Sequence, residues 1–486
     1  MKSLLQLSFP CALLLLCSCA VGPNYQKPDV AKLTPADWRW KVAEPKDTLP
    51  KGDWWKVFHD SILDELETVA VTNNQNLRAA VARVDQSRAG ARLTRSQFFP
   101  ELSLDPSVRR ERTSGNLPTP IPFDVPSARF NTFSVPLDLS YEVDLWGGVR
   151  RSFESAQAQA QASIADYHSV LLTLTADVAV NYFLVRSLDA ERAVLRRTVE
   201  LRNDSFRILN ERFATGVILE IDVAQAKTEL ASAKADLADV TRQRAETLHA
   251  LALLCGESIG SFEIVERSLT AAPAIVSPAL PSTLLERRPD IARAERNLAA
   301  KNAQIGVARA AYFPAVRLAG QAGYLSVEAE SLFSGDSRVW SIGPSVSLPL
   351  FNAGRTAAQV RQSEAAYQEA LADYRQTVLA AFKEVEDSLA QIVLRNEQAA
   401  AQTEALTAAR RVTELAKARY EAGATSYLEL LDAERTALLH ERRQAQLEAQ
   451  RFAASVRLIK SLGGGLESEM QDERAPVRGI TGGKGP

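Results

Sequence analysis

Cysteine is nearly absent from this sequence: there are four in 486 residues, three of them within the first nineteen positions. Beyond those only Cys255 remains, so no disulfide framework can hold an exported fold of this length together. Histidine is as scarce, and His59, His168, His249 and His440 lie too far apart for metal-ligand spacing. No run of eighteen apolar residues occurs, which argues against helical membrane spans. Net charge is also small, with 57 Lys and Arg against 59 Asp and Glu, so there is no basic footprint for nucleic acid. Nucleophile motifs, Walker loops and dinucleotide fingerprints are missing, and the GGG at 463–465 reads as a helix terminator. No enzyme is expected.

What the N-terminus does hold is a short secretory signal. Lys2 supplies the positive charge, and Leu13 to Leu16 form an apolar core far too brief to span a bilayer. Cleavage by a lipoprotein-type peptidase needs a small residue before the cysteine and an aliphatic one three before it. Cys19 has Ser18 and Leu16 in those places, whereas Cys17 follows bulky Leu16 and Cys11 follows Pro10. Residues 1–18 are therefore expected to leave, and Cys19 to carry S-diacylglycerol and an N-acyl chain; an ordinary secretion signal is the alternative. Several chains on one residue anchor stably, since each buried methylene adds about 0.8 kcal/mol. No Asp follows Cys19, which points to the outer membrane rather than the inner one.

Internal repetition sets the organisation. SQFFPELSL at 96–104 echoes AAYFPAVRL at 310–318, and EVDLWGGVR at 142–150 echoes LPLFNAGR at 348–355. RFATGVILEIDVAQA at 212–226 echoes RYEAGATSYLELLDA at 419–433. The order is the same and the offsets are similar, so the chain is a tandem duplication. The first copy spans 62–255, the second 289–463, with a Pro/Ser/Ala-rich joint at 256–288. Residues 19–61 form a lipid-anchored N-terminal segment, and 464–486 a disordered tail.

Within each copy the hydrophobic period switches. Phe133, Val135, Leu137, Leu139, Tyr141, Val143 and Leu145 alternate with Thr132, Ser134, Asp138, Ser140, Glu142 and Asp144. Trp340, Ile342, Val346, Leu348 and Leu350 do likewise, and shorter alternations precede both runs, so each copy predicts a hairpin, about 99–145 and 313–351. The proline-rich loop at 113–128 cannot pair. The flanks step by threes and fours, as in Tyr374, Val378, Ala381, Val385, Ser388 and in Ile164, Tyr167, Leu171, Leu174, Val178. An unbroken helix of about 65 residues is roughly 100 Å long, beyond what a globular core needs. Each copy also turns at a tip, about 214–220 and 421–427, marked by Gly216 and Gly423.

Heptads alone suggest a coiled-coil rod. Strands apolar on one side and polar on the other suggest a transmembrane barrel wall with a wet lumen. Four strands cannot close, and open edges cannot sit in lipid, so several chains must share the wall. Asp138, Glu142 and Asp144 would make that lumen mildly attractive to cations.

Several stretches carry a family resemblance: CAVGPNYQKP after the signal, WWKVFHD at 54–60, LPSTLLERRPDIARAERNLAAKNAQIGVARAAYFP at 280–314, and YEAGATSYLELLDAERTAL at 420–438. With these the chain resembles outer-membrane efflux channels of the TolC/OprM type, in the NodT-like lipoprotein branch, up to about Gly465. The resemblance implies a mainly α fold with a transmembrane β part, assembled as a homotrimer. Its parts would be a 12-stranded β-barrel, a 12-helix α-barrel across the periplasm and an equatorial belt of terminal and joint segments. It also implies a periplasmic adaptor protein and an inner-membrane efflux pump as partners, with drugs, solvents or metals as cargo. Glu429 and Asp432 match acidic rings at the entrance; Asp222, Arg419 and Tyr420 match a latch between helix pairs. Thr425 departs from channels that carry Arg or Asp there. A channel for type I protein secretion, or a lipid-anchored structural coiled coil, are the alternatives.

Cys19→Ser should abolish incorporation of labelled fatty acid; undiminished labelling would show that Cys19 is not the acylated residue.

Overall fold

The computed structural model describes residues 20–29, 52–114, 127–267, 269 and 288–464. Cys19, the centre of the proline-rich loop, most of the joint and the tail beyond Gly464 lie outside them. After a 3-10 turn at Trp54–Phe58 come α1 (Ser61–Asn73), α2 (Gln75–Ser96), β1 (Glu101–Leu104), β2 (Ser107–Arg112), β3 (Arg129–Val143), α3 (Gly148–Ala214) and α4 (Glu220–Cys255). The second half holds α5 (Pro289–Ala310), β4 (Ala315–Ser326), β5 (Arg338–Ser347), α6 (Arg355–Glu421) and α7 (Tyr427–Ser461). The fold is mainly α with a β part. Two compact units emerge, residues 1–28, 84–163 and 294–374, and residues 29–83, 164–293 and 375–486.

The first unit contains one antiparallel sheet in the order β1/β2, β3, β4, β5. β3 and β4 join the two copies, pairing from Phe133 opposite Ser326 to Val143 opposite Val316. The expected four strands appear as five segments, because the first stave is interrupted at Asp105–Pro106. Register is unbroken across the gap, with Leu104 opposite Leu137 and Ser107 opposite Ser134. The missing bonds belong to Pro106 and Pro136, which have no N–H to give. The Asp105 N–H still reaches the Pro136 carbonyl at 3.3 Å. So there are four staves. β3 ends at Val143 rather than Leu145, and β5 at Ser347 rather than Leu350, just before Pro349.

α3 and α6 are each 67 residues long. In α6 Tyr374, Val378, Ala381 and Val385 are fully buried, as the heptad predicts. In α3 Leu174 and Val178 are buried as the heptad predicts, but Ile164, Tyr167 and Leu171 are half-buried and Ala158, Ala162, Ala165, Leu172, Ala176 and Ala179 are buried beside them. Alanine lets neighbouring backbones approach, and the larger side chains splay to the flanks of the contact. One 18-residue window of α3 has a mean hydropathy of 1.4, enough by length and composition to cross a membrane. A mixed window passes where a continuous apolar run does not. Half of it is buried inside the protein, as in a core helix.

The second unit is pinned by aromatics. Trp54, Trp55 and Phe58 are buried, and the Trp54 indole N–H donates to Thr175 Oγ1 at 3.1 Å. Phe58 lies 5.0 Å from Phe183, which stacks on Phe452 at 4.4 Å between centroids. Below them the single helix expected before the first hairpin is broken at Asn74. Its side chain accepts from the Leu77 N–H at 2.9 Å and donates to the Leu254 carbonyl at 2.8 Å, ending α1 and capping α2. A buried Asp189 takes Arg186, Arg244 and the Arg267 N–H, while the two guanidiniums also hold the Val265 and Ile264 carbonyls. That ties the start of the joint to α3 and α4.

Glu67, on the buried face of α1, has no hydrogen-bond partner for either carboxylate oxygen among the described residues. Burial, with Asp64 nearby, holds its carboxyl well above the usual range. Burial, with Glu67 and Glu257 beside it, pushes the Cys255 thiol up to about 12. Below the ordinary carboxylate range folded and unfolded chains both carry the Glu67 proton. Above it the unfolded chain releases the proton and the folded chain keeps it, so this group costs stability as pH rises towards its folded pKa. Glu67→Gln should therefore raise Tm at pH 8, and raise it less at pH 5. An equal gain at both pH values would contradict a protonated Glu67.

Candidate channel wall and entrance

The sheet has two chemically different faces. Leu102, Leu104 and Val108 share one face with Val135, Leu137, Leu139 and Tyr141, and with Trp340, Ile342 and Val346. Val135, Leu139 and Tyr141 are half-buried and the others are exposed in the single chain, Trp340 at 77% and Val346 at 68%. Across the other face Ser103, Asp138, Gln321 and Ser341 form a polar rung. The Gln321 amide donates to Asp138 at 2.9 Å, and Arg317 reaches Glu142 at 3.4 Å. One face suits hydrocarbon, the other water.

Asp144 is not on that polar face. It lies past the end of β3, where its carboxylate accepts the Val149 and Arg150 N–H groups at 3.0 and 2.9 Å and pairs with the Arg150 guanidinium. It caps α3 against the helix dipole. With Glu142 also matched by Arg317, the attraction for cations inferred from three free acids falls mainly to Asp138.

Cys19 lies outside the described residues, but the chain from Ala20 is held firmly. The Val21 N–H donates to the Trp146 carbonyl at 2.9 Å, and Asn302 to the Pro23 carbonyl at 3.0 Å. Arg151 grips Asn24 at 2.7 Å, and the Tyr25 hydroxyl donates to Glu295 at 2.9 Å. Gly22 has φ of +105° and passes so close to Gly306 that a Cβ would come within 2.5 Å of its Cα. Only glycine fits there. The first residues after Cys19 are thus strapped beside the end of β3.

At the far ends of the long helices two tips share one geometry. Gly216 and Gly423 take φ of +74° and +71°, each as the left-handed residue closing a helix. The Val217 and Ala424 N–H groups return to the Arg212 and Arg419 carbonyls at 3.0 and 2.8 Å. Leu209, Ala226, Tyr427 and Leu431 form a small core there, with Phe206, Ile218 and Tyr420 against it.

The structure joins Arg419 directly to Glu429 at 3.0 Å, and Thr425 donates its hydroxyl to the same carboxylate. Two residues that the resemblance matched to separate features, Arg419 and Glu429, are therefore paired within the chain. Tyr420 accepts from Arg212 at 3.4 Å and lies 5.9 Å from the Tyr427 ring. Arg212 was not legible as a site residue: it stands in the last turn of α3 with no motif of its own. Asp222 is in the first turn of α4 and makes no hydrogen bond or ion pair with Arg419 or Tyr420. Asp432 is exposed, one turn beyond Glu429. The Arg419–Glu429 pair has side chains 59% and 50% exposed, so it contributes at most about 1 kcal/mol. Such a contact is easily opened. Farther from the tips the ties are more buried: Arg202 to Glu434, and Arg442 to Glu191 at 2.7 Å and Asp236 at 3.0 Å.

The profile of the outer membrane efflux protein family matches residues 68–257 and 280–464. The chain is 35% identical to the pyoverdine export outer membrane protein OpmQ of Pseudomonas aeruginosa, over 96% of this chain and 98% of that one. It is 34% identical to the toluene efflux pump outer membrane protein TtgI of Pseudomonas putida, over 93% and 97%. Among solved structures, the outer-membrane channel OprN superposes with a TM-score of 0.85 at 30% identity, covering 93% of this chain and all of that one. The Campylobacter jejuni CmeC outer membrane channel gives 0.84 at 27% identity, covering 94% and 97%. These relatives are channels of export systems, not enzymes. The chain belongs to the outer membrane efflux protein family and is the outer-membrane component of an efflux system.

Proposed function

We propose that three copies of this chain form a conduit for small molecules through the outer membrane, opened at the helix tips. The observation that carries this is a four-stave sheet, apolar on one face and polar on the other, with both outer edges unpaired among the described residues. An unsatisfied backbone group in hydrocarbon costs several kcal/mol, so the edges of different copies must meet. Three copies give twelve staves and a lumen lined by the Asp138 rung. The names of the relatives, with pyoverdine and toluene as cargo, favour small molecules over secreted protein. A periplasmic adaptor and an inner-membrane pump complete the system and supply the energy. The strap at residues 20–25 supports anchoring by acyl chains on Cys19, because it fixes the residue following that cysteine at the end of the sheet.

At the entrance, Arg419 and Tyr420 act as the latch, with Arg212 as a further member. Asp222 takes part only through contacts made between copies. Glu429 and Asp432 of three copies make the acidic rings, and Arg419 partly neutralises the outer of the two. Multivalent cations bind clustered carboxylates, so they should block the entrance from the periplasmic side.

Single-channel recording in planar bilayers tests this reading, because a structural rod conducts nothing. Arg419→Ser with Tyr420→Phe should raise conductance. Glu429→Ala with Asp432→Ala should abolish block by multivalent cations; block as strong as in the parent would leave those acids as helix-start residues only.

A further inference from the structure

The duplication makes an observed contact within the chain a template for one that a single chain cannot make. Where the first copy's second strand meets the second copy's first strand, Trp146 stacks on Phe313, with centroids 4.7 Å apart and rings 23° from parallel. The Trp146 indole also donates to the Pro314 carbonyl at 2.8 Å. Just inside this stack Val143 of β3 stands opposite Val316 of β4.

Each of these residues has a counterpart in the repeat. Trp146 in DLW corresponds to Phe351 in PLF, and Phe313 in YFP corresponds to Phe99 in FFP. Val143 corresponds to Leu348, and Val316 to Leu102. The counterparts follow β5 and precede β1, so they lie at opposite edges of the sheet and cannot meet in one chain. Both are left bare: Phe351 is 89% exposed, its neighbour Leu350 90% and Phe99 64%.

We propose that the Leu350–Phe351 turn of each copy seats on Phe99 of the partner subunit, and that this stack sets the register of β5 against the partner's β1. The inference rests on the multi-copy channel reading above. It places Leu348 opposite the partner's Leu102, and hence Ser347 opposite the partner's Ser103 and Val346 opposite the partner's Leu104. Continued, the register sets Ile342 against the partner's Val108 and Ser341 against the partner's Arg109. From Leu348 as far as Ile342 apolar meets apolar on one face and polar meets polar on the other, and beyond it Trp340 faces the partner's Arg110. The repeat motifs alone chose this register, and a shift of one residue would invert every pairing. Phenylalanine in place of tryptophan keeps the stack and gives up the indole hydrogen bond. The joint between copies is therefore held by one contact fewer than the joint within the chain.

Paired cysteines read the register directly, because Cys255 is buried and does not compete. Directly opposed residues on paired strands have Cβ atoms about 4.5–5.5 Å apart, close to disulfide reach. Ser103→Cys with Ser347→Cys, oxidised in outer membranes, should give a covalent band at three chain masses, and either single variant should not. Val346→Cys with Leu104→Cys reads the same register on the lipid face if the first pair does not reach the membrane. Glu101→Cys with Ser347→Cys, two residues out of step, should cross-link poorly. If that pair links better, or if neither in-register pair links while light scattering still shows three-chain assemblies, the proposed seam is wrong and the channel reading stands. If the unoxidised protein is a lone chain, the channel reading fails with it. Phe351→Trp should raise the temperature at which the assembly dissociates in detergent and Phe351→Ala should lower it; no change in either would remove the stack from the seam.

Discussion

A backbone placed in hydrocarbon must pair all of its N–H and C=O groups, and the sheet of this chain is built around that requirement. β3 and β4 satisfy each other over their common length, but β1/β2 and β5 each turn one row of groups outward. Helices satisfy their own backbone and could have spanned the bilayer alone; strands cannot. Building the membrane part from strands therefore commits the chain to company. It also explains why an apolar face such as Trp340, Ile342 and Val346 is left uncovered by any of the described residues.

The helices answer a different demand. α3 and α6 are far too long to be stabilised by one compact core, so burial is spread along them in alanine-rich stripes and small aromatic clusters. Ionic ties then grade from firm to weak. Asp189 and Arg186 are buried and, with Arg244 and the Arg267 N–H, pin the joint, whereas Arg419 and Glu429 at the tip are half in water. Removing a partner from a buried ion pair costs several kcal/mol, and removing one from an exposed pair costs little. Among these ties the one at the tip is the most easily rearranged, as the proposed gate requires.

Much of this was legible in the sequence because the signals were local and repeated. The sheet faces followed from strict alternation around Leu137 and Leu139, and the tips from Gly216 and Gly423 at matching places in the two copies. The readings that needed correction involve residues whose role depends on a partner far along the chain. Asp144 continues the alternation of β3 yet serves α3 as its cap. Asn74 sits in a helical pattern yet spends its side chain on Leu254, and Glu67 looks like any surface acid of an amphipathic helix. Arg212 acquires meaning only once the tip brings it beside Tyr420, and Glu429, matched by resemblance to an acidic ring, gains Arg419 as its partner.

The claim on which the account rests is that the sheet is completed by other copies of the same chain. Sedimentation equilibrium of the purified protein in detergent, read beside its circular dichroism, tests it most directly. The account predicts a single species at three chain masses. A stable monomer that keeps its full strand content would contradict it.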